Sequence, residues 1–290
     1  MSFRTVVIKN RCKLEYSMNY LVYRGEEEKR INLNEITTLI IQSTQVCITS
    51  ALLSKLIDSK IKVIFCDTCN NPQSELIPYY GSYNMRERII NQMNISKEIM
   101  NIVWKRIVEE KILQQAKNLK YKSLNESYEK LIEYYKEVEE GDVTNREGHA
   151  AKVYFNSLFG TDFSRDKEIN INKYLNYGYS IILSAFNREI KNMGYLTEIG
   201  IHHIGNLNPF NLSCDFIEPL RPLVDYYVIS DKLTDENFKK ELINLLNIYV
   251  DIDDKKMILD NAIKLYIQSI FSALLENNVK KIKFIDYERV

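Results

Sequence analysis

Two short stretches of this chain hold the residue types that acid–base or metal-assisted chemistry uses. The chain has only three histidines. His149 lies in REGHAAKVYF, two residues after Glu147; His202 and His203 sit side by side in IHHIGNLNPFNLSCDFIEPLRP, which runs on through Asp215 and Glu218. Each stretch also admits a purely structural role. VTNREGHAAKVYFNSLFG has the spacing of an amphipathic helix with Ala151, Tyr154, Phe155 and Leu158 on its apolar stripe, and Glu147 falls one turn before Ala151, at the head of that face. The same glutamate completes Thr144-x-x-Glu147, the pattern of a capping box. His149, roughly 200° around the helix from Glu147, points outward. Asp215-x-x-Glu218 has the spacing of a second capping box; on a helix it would put both carboxylates on one face. Adjacent residues of an extended segment point to opposite sides, so at most one of His202 and His203 reaches a given site.

Glutamate, histidine and a further acid from separate segments make a mixed oxygen and nitrogen donor set. Carboxylates suit Mg²⁺ and Mn²⁺, and one imidazole moves the preference modestly toward Mn²⁺. Such a set supports phosphoryl chemistry, because a bound cation activates an attacking oxygen and neutralises charge on the phosphodiester. Other templates are missing from the sequence: there is no G-x-x-x-x-G-K-[ST], no G-x-S-x-G and no His-Asp dipeptide. One C-x-x-C occurs, Cys66 and Cys69 in FCDTCNNP, but it lacks a second pair and trails into Asn-Asn-Pro instead of opening a helix. An odd count of five cysteines argues against a disulfide framework.

The elements that must position these groups divide the chain in two. RTVVIKN, LEYSMNYLVYR, KRINLNEITTLIIQ and KVIFCD are rich in β-branched and aromatic residues and predict strands. TSALLSKLIDSK predicts one interposed helix with a Thr/Ser cap and Leu52, Leu53, Leu56 and Ile57 on one face. Pro72, Pro78 and Gly81 then punctuate a linker. From Met85 the pattern is helical: RERIINQMNISKEIMNIVWKRIVEEKILQQAKNL, SLNESYEKLIEYYKEVEEG ending at Gly141, INKYLNYGYSIILSAFNREIKNMG ending at Gly194, and a helical tail from ELINLLNIYV onward. The expectation is an α+β chain: a β-rich, sandwich-like domain over residues 1–72, a linker over 73–84, and a larger all-α domain over 85–290. The 290 residues are 45% hydrophobic and 27% charged, ordinary for a globular protein. With 39 basic and 39 acidic residues the chain carries no overall positive coat, although a basic groove balanced elsewhere stays compatible with nucleic acid. No apolar run approaches the ~20 residues of a membrane span, and MSFRTVVIKNR is not a signal peptide, so the expected location is the cytoplasm, with no membrane partner.

The wording of these stretches resembles a known family. EGHAAKVYF is similar to the E-G-x-x-A-x-x-Y-F block, and GIHHIGNLNPFNLSCDFIEPLRPLVD to the G-x-x-H and L-x-x-D-x-x-E-x-x-R-P-x-x-D blocks, of the CRISPR-associated integrase family Cas1. LNYGYSIILSAFNREI and INLNEITTLIIQ fit as well, and FNLSCDFIEPLRP looks most like the type II branch. The resemblance implies a metal triad of Glu147, His203 and Glu218 holding Mg²⁺ or Mn²⁺, with Asp215 as an accessory acid. His202 stands where many relatives carry an apolar residue, and His149 falls at a variable position. It implies an enzyme that inserts foreign DNA fragments at the leader–repeat junction of a CRISPR array, each fragment 3′-hydroxyl attacking a phosphodiester. Arg221 would face a scissile phosphate or an ion pair with Asp215 or Glu218; Lys152, Arg165 and Arg188 would serve the DNA backbone. The partners implied are double-stranded DNA, a second copy through the β-rich domain, a small Cas2 subunit, other type II adaptation proteins and the effector nuclease. Two alternatives are a free-standing metal-dependent nuclease using the same residues and a non-catalytic DNA-binding scaffold.

Overall fold

In the computed structural model, residues 4–79, 84–230 and 233–289 are described. The chain divides into two compact units, residues 1–81 and 82–290.

The first unit is β-rich. Strands β1 (Arg4–Ile8), β2 (Cys12–Ser17), β3 (Tyr20–Arg24), β4 (Glu28–Asn32), β5 (Ile36–Ile41), β6 (Val46–Ile48), β7 (Lys62–Cys66) and β8 (Pro72–Glu75) form two four-stranded sheets, ordered β1-β5-β7-β8 and β4-β3-β2-β6. Helix α1 (Ser50–Asp58) is capped by the Thr49 hydroxyl and buries Leu52 and Leu56. These leucines join one core with Ile8, Leu39 and Val63 of the first sheet and Leu14 and Leu21 of the second. LEYSMNYLVYR, continuous in its β propensity, is in fact a hairpin. Met18 and Asn19 take positive φ (47° and 66°), the backbone twist that a two-residue turn requires. Pro72–Glu75 pairs antiparallel with β7, so the sheet continues past the expected boundary at residue 72. Proline is tolerated there because it opens a strand at the sheet edge, where its missing N–H costs no ladder bond. Of the expected linker, residues 80–83, Gly81 among them, lie outside the described residues.

The second unit is helical: α2 (Met85–Met93), α3 (Lys97–Tyr121), α4 (Asn125–Lys136), α5 (Arg146–Phe159), α6 (Asn170–Asn192), α7 (Asn211–Ile217), α8 (Arg221–Ile229), α9 (Phe238–Asn244) and α10 (Leu259–Leu275). The long stretch from Arg86 breaks into α2 and α3 because the Ser96 hydroxyl accepts the Ile99 amide and starts a new helix. Gly141 is not the C-cap of α4, which ends at Lys136; its φ of 72° serves the turn leading into α5. The tail is not wholly helical. Strands β9 (Tyr249–Ile252) and β10 (Lys255–Ile258) form a hairpin turning at Asp253 and Asp254, both at positive φ, which short Asp side chains accommodate. Two long helices, α3 and α6, are buried along their length: α3 packs on α4, α5 and α8, α6 on α7, α8 and α9, and α10 on both. No helix among the described residues is long and apolar enough to cross a membrane.

Candidate active site

Four segments of the helical unit meet at one place. Glu147 comes from the first turn of α5. The buried face of α5 centres on Ala150 and Tyr154, one position earlier than the expected Ala151 and Phe155, and Glu147 stays on that face at i−3 and i−7. The expected capping box does not form. Asp142 accepts the amides of Arg146 (2.8 Å) and Glu147 (3.0 Å), Asn145 accepts that of Gly148, and the Thr144 hydroxyl is buried without a partner among the described residues. Capping is thus done by Asp142 and Asn145, and the Glu147 carboxylate is free for other work.

Glu147 Oε1 accepts from Lys111 Nζ at 2.5 Å, and the same ammonium donates to Glu218 Oε2. Lys111 is on α3 at 7% exposure. Glu218 opens a short 3-10 turn between α7 and α8, where Pro219 and Pro222, each lacking an N–H, break the helix into segments. Its second oxygen, Oε1, accepts from Arg221 Nε at 2.8 Å. Burial alone would push the Glu218 carboxyl up; Arg221 and Lys111 outweigh it and hold the group well below the usual carboxylate range. Burial would likewise lower the Lys111 amine, but Glu218 and Glu147 keep it above its ordinary value. Arg221 lies over the ring of Tyr179, 4.9 Å from its centre, and the Tyr179 hydroxyl donates to the buried Asp225.

Asp215 does not share Glu218's task. It is fully buried, and the histidine loop is wound around it. Oδ2 accepts the amides of Ile201 (2.7 Å) and His202 (3.1 Å); Oδ1 accepts the amide of His203 (3.0 Å) and meets His203 Nδ1 at 2.6 Å. A β-carbon on Gly200 would sit 2.3 Å from the His203 carbonyl oxygen and 2.7 Å from Asp215 Oδ2, so the wrapping needs glycine there. With Nδ1 donating to Asp215, His203 presents Nε2 outward as an acceptor. The Asp215 bond raises the His203 imidazole above its ordinary value against burial, helped by the charges of Asp215, Glu218 and Glu147. His202 lies flat on Trp104, ring centres 4.1 Å apart, while His203 meets the same indole edge-on at 5.8 Å. Burial lowers the His202 imidazole.

The remaining expectations fall as follows. His149 is exposed beside Tyr134. Lys152 is exposed on α5, and Arg165 is held by Asn172 and Asn176 over the Tyr179 ring. Arg188 is not available to a DNA backbone. Its side chain is 11% exposed and is paired with Glu189 (2.8 Å) and Asp260 (2.7 Å). Cys66 is buried in β7, Cys69 sits in a turn closed by Asp67, and none of the five cysteines is in a disulfide.

Four contributors escaped the sequence reading: Lys111, Trp104, Gln92 and Lys97. Lys111 falls one turn after Ile107 and two after Trp104, on a buried face, and a lysine at such a position is the signal that could have exposed it. Gln92, 2% exposed, pins the histidine loop by donating to the Leu196 and Ile199 carbonyls and accepting the Leu196 amide, and Lys97 donates to the Ile201 carbonyl. The donor chemistry fits a hard divalent cation: two carboxylate oxygens aimed at one cation-sized position, with an imidazole of fixed tautomer in electrostatic reach. That position is held by the Lys111 ammonium. Among the described residues, no three or more His, Cys, Asp or Glu side chains stand together as a ready-made cage.

A β-rich unit is thus followed by a helical unit in which two glutamates close on a buried ammonium and a histidine is fixed by a buried aspartate. The chain belongs to the Cas1 family: the family described as CRISPR associated protein Cas1 matches residues 5–262, and the CRISPR-associated endonuclease Cas1 of Neisseria meningitidis is 33% identical, covering 98% of this chain and 96% of the relative. A second relative, from Francisella tularensis, is 27% identical over 77% of this chain and 76% of its own length. The fold is that of a Cas1 protein from Thermotoga maritima (16% identity, 94% of this chain and 97% of that one, TM-score 0.75) and of a casposase bound to integration product (20% identity, 96% and 91%, TM-score 0.76).

Proposed function

We propose that this protein is a metal-dependent DNA integrase of CRISPR adaptation. It joins fragment 3′-hydroxyls to phosphodiesters at the leader–repeat junction, together with a second copy of itself and a Cas2 partner. The observation that carries the reading is the meeting of Glu147 and Glu218, from separate segments, on one cation position, with His203 held by Asp215 against Trp104 of the same helix that carries Lys111. Family membership supports it, as does the fold-level likeness to a casposase bound to integration product and to a complex containing Cas1 and Cas2 (16% identity, TM-score 0.75). Glu147, Glu218 and His203 would hold Mg²⁺ or Mn²⁺, which when bound supplies Lewis-acid activation of the attacking oxygen and charge neutralisation on phosphate. The chain's own residues do the rest. Asp215 fixes the His203 tautomer, so that Nε2 faces the site as an electron-pair donor. Arg221 holds Glu218 through Nε and leaves the far edge of its partly exposed guanidinium for a phosphate oxygen. Trp104 and Gln92 keep the histidine loop from drifting. One phosphodiester is exchanged for another, so no nucleotide triphosphate is required.

The test offers the purified protein and its Cas2 partner a fragment ending in a 3′-hydroxyl or a dideoxynucleotide, and an array target, with Mg²⁺, Mn²⁺ or EDTA and no ATP. Joining should need the hydroxyl and the metal, and a preformed branched product should be resealed by the same protein. Joining of the blocked fragment, or a need for ATP, would refute the mechanism. Hydrolysis of the branched substrate with no resealing would favour a plain nuclease.

A further inference from the structure

Lys111 takes no part in the chemistry just described, yet it holds the best-defined position in the site. Its stem rises from the buried face of α3, and its ammonium bonds Glu147 Oε1 and Glu218 Oε2 together. Both Glu218 oxygens are engaged, Oε1 by Arg221 and Oε2 by Lys111, and Oε2 is the one that shares this ammonium with Glu147. A cation that is to bind both glutamates through these oxygens, at about 2.0–2.1 Å for Mg²⁺, must therefore enter the place where Nζ stands. Two cations cannot share it. Lysine is suited to such an exchange: its charge is compact and its four-carbon stem flexible, and the Glu147 side, where that side chain is 27% exposed, is the open one.

We propose that Lys111 is a tethered counter-ion that occupies the cation position and is displaced from it when a divalent metal loads. This rests on the metal-binding reading above. In the metal-free protein Lys111 keeps two like-charged carboxylates converged, so the donor oxygens are already aimed inward. The same contact makes lysine a competitor. If it is engaged in about nine-tenths of molecules, the apparent metal affinity falls by about tenfold.

The experiment is calorimetric titration of the full-length protein with Mn²⁺, without DNA, for the wild type, Lys111→Met and Lys111→Arg. Lys111→Met should bind Mn²⁺ about tenfold more tightly, and Lys111→Arg, which keeps a cation there, should stay near the wild type. A second measurement needs no variant. Reductive methylation of the wild-type protein, read at Lys111 by peptide mass spectrometry with the exposed Lys264 of α10 as internal reference, should run several-fold faster in Mn²⁺ than in EDTA. Equal or weaker binding by Lys111→Met, or a Lys111 labelling rate indifferent to Mn²⁺, overturns the exchange. If Mn²⁺ binds the wild type but neither effect appears, only the exchange fails. If Mn²⁺ binds neither protein, the metal reading fails and the exchange with it.

Discussion

Replacing Asp215 by asparagine changes no volume and removes one charge, so its effect follows from hydrogen bonding alone. The carboxylate serves four N–H groups, two on each oxygen: the amides of Ile201 and His202 on Oδ2, and the amide and Nδ1 of His203 on Oδ1. An amide keeps one oxygen and turns an NH₂ toward the other pair. With the NH₂ toward Ile201 and His202, two buried donors lose their acceptor, at about 1–3 kcal/mol each. With it toward His203, Nδ1 can become the acceptor and only the His203 amide is orphaned, but Nε2 then carries the proton and no longer offers an electron pair. The second orientation costs less and is the expected one. Adding the weakening of bonds that were charge-assisted, the loss is about 2–4 kcal/mol, or roughly 9 °C in Tm at some 3 °C per kcal/mol for a unit of this size. The assay is thermal denaturation in metal-free buffer together with amide hydrogen exchange at residues 201–203. Asp215→Asn should melt lower, exchange faster at His203 and fail to join DNA at temperatures where it is still folded. A melting point within 2 °C of wild type with unchanged exchange would refute the account of the loop.

Glu147→Ala and Glu218→Ala should each abolish joining in protein that still folds and dimerises. Glu218→Ala should be much the less stable, because it strands the buried Lys111 and Arg221, and breaking a buried ion pair costs about 3–5 kcal/mol; equal denaturation midpoints, or full activity of either variant, would count against the site. His203→Ala should remove activity while His202→Ala largely spares it at a small cost from the lost stacking on Trp104, and a metal-bound structure with His202 on the ion would reverse the assignment. Burial raises the Asp225 carboxyl to about 6. A carboxyl raised in the folded state binds its proton more tightly there than in the unfolded chain, so the stability it contributes is present near pH 4 and is lost as pH rises through 6, the loss reaching about 3 kcal/mol at pH 7. Asp225→Asn should therefore flatten this part of the pH profile and gain on the wild type above pH 6; an equal change in unfolding free energy between pH 4.5 and 7.5 for the two proteins, from urea denaturation, would disprove it.

A resemblance in wording to the Cas1 family, not local physics, pointed to Glu147, His203, Asp215, Glu218 and Arg221. The sequence by itself carried the division into a β-rich and a helical part, the Thr49-capped helix and the exposed His149. Each is legible because it is local: β propensity, helix phase and motif spacing act over a few residues. Local patterns also have local failures. Thr144-x-x-Glu147 reads as a capping box, but Asp142, at positive φ in the preceding turn, reaches the amides first. The hairpins at Met18–Asn19 and Asp253–Asp254 turn on backbone conformations that hydrophobic periodicity does not encode. What only the tertiary structure decided is how the acids divide their work. Lys111 is 36 residues from Glu147 and 107 from Glu218, and Gln92 is 104 from Leu196. Lys111 reaches its distant partners because α3 is buried among α4, α5 and α8. A charge in that interior persists only where opposite charge from another helix meets it, a condition no window of sequence contains.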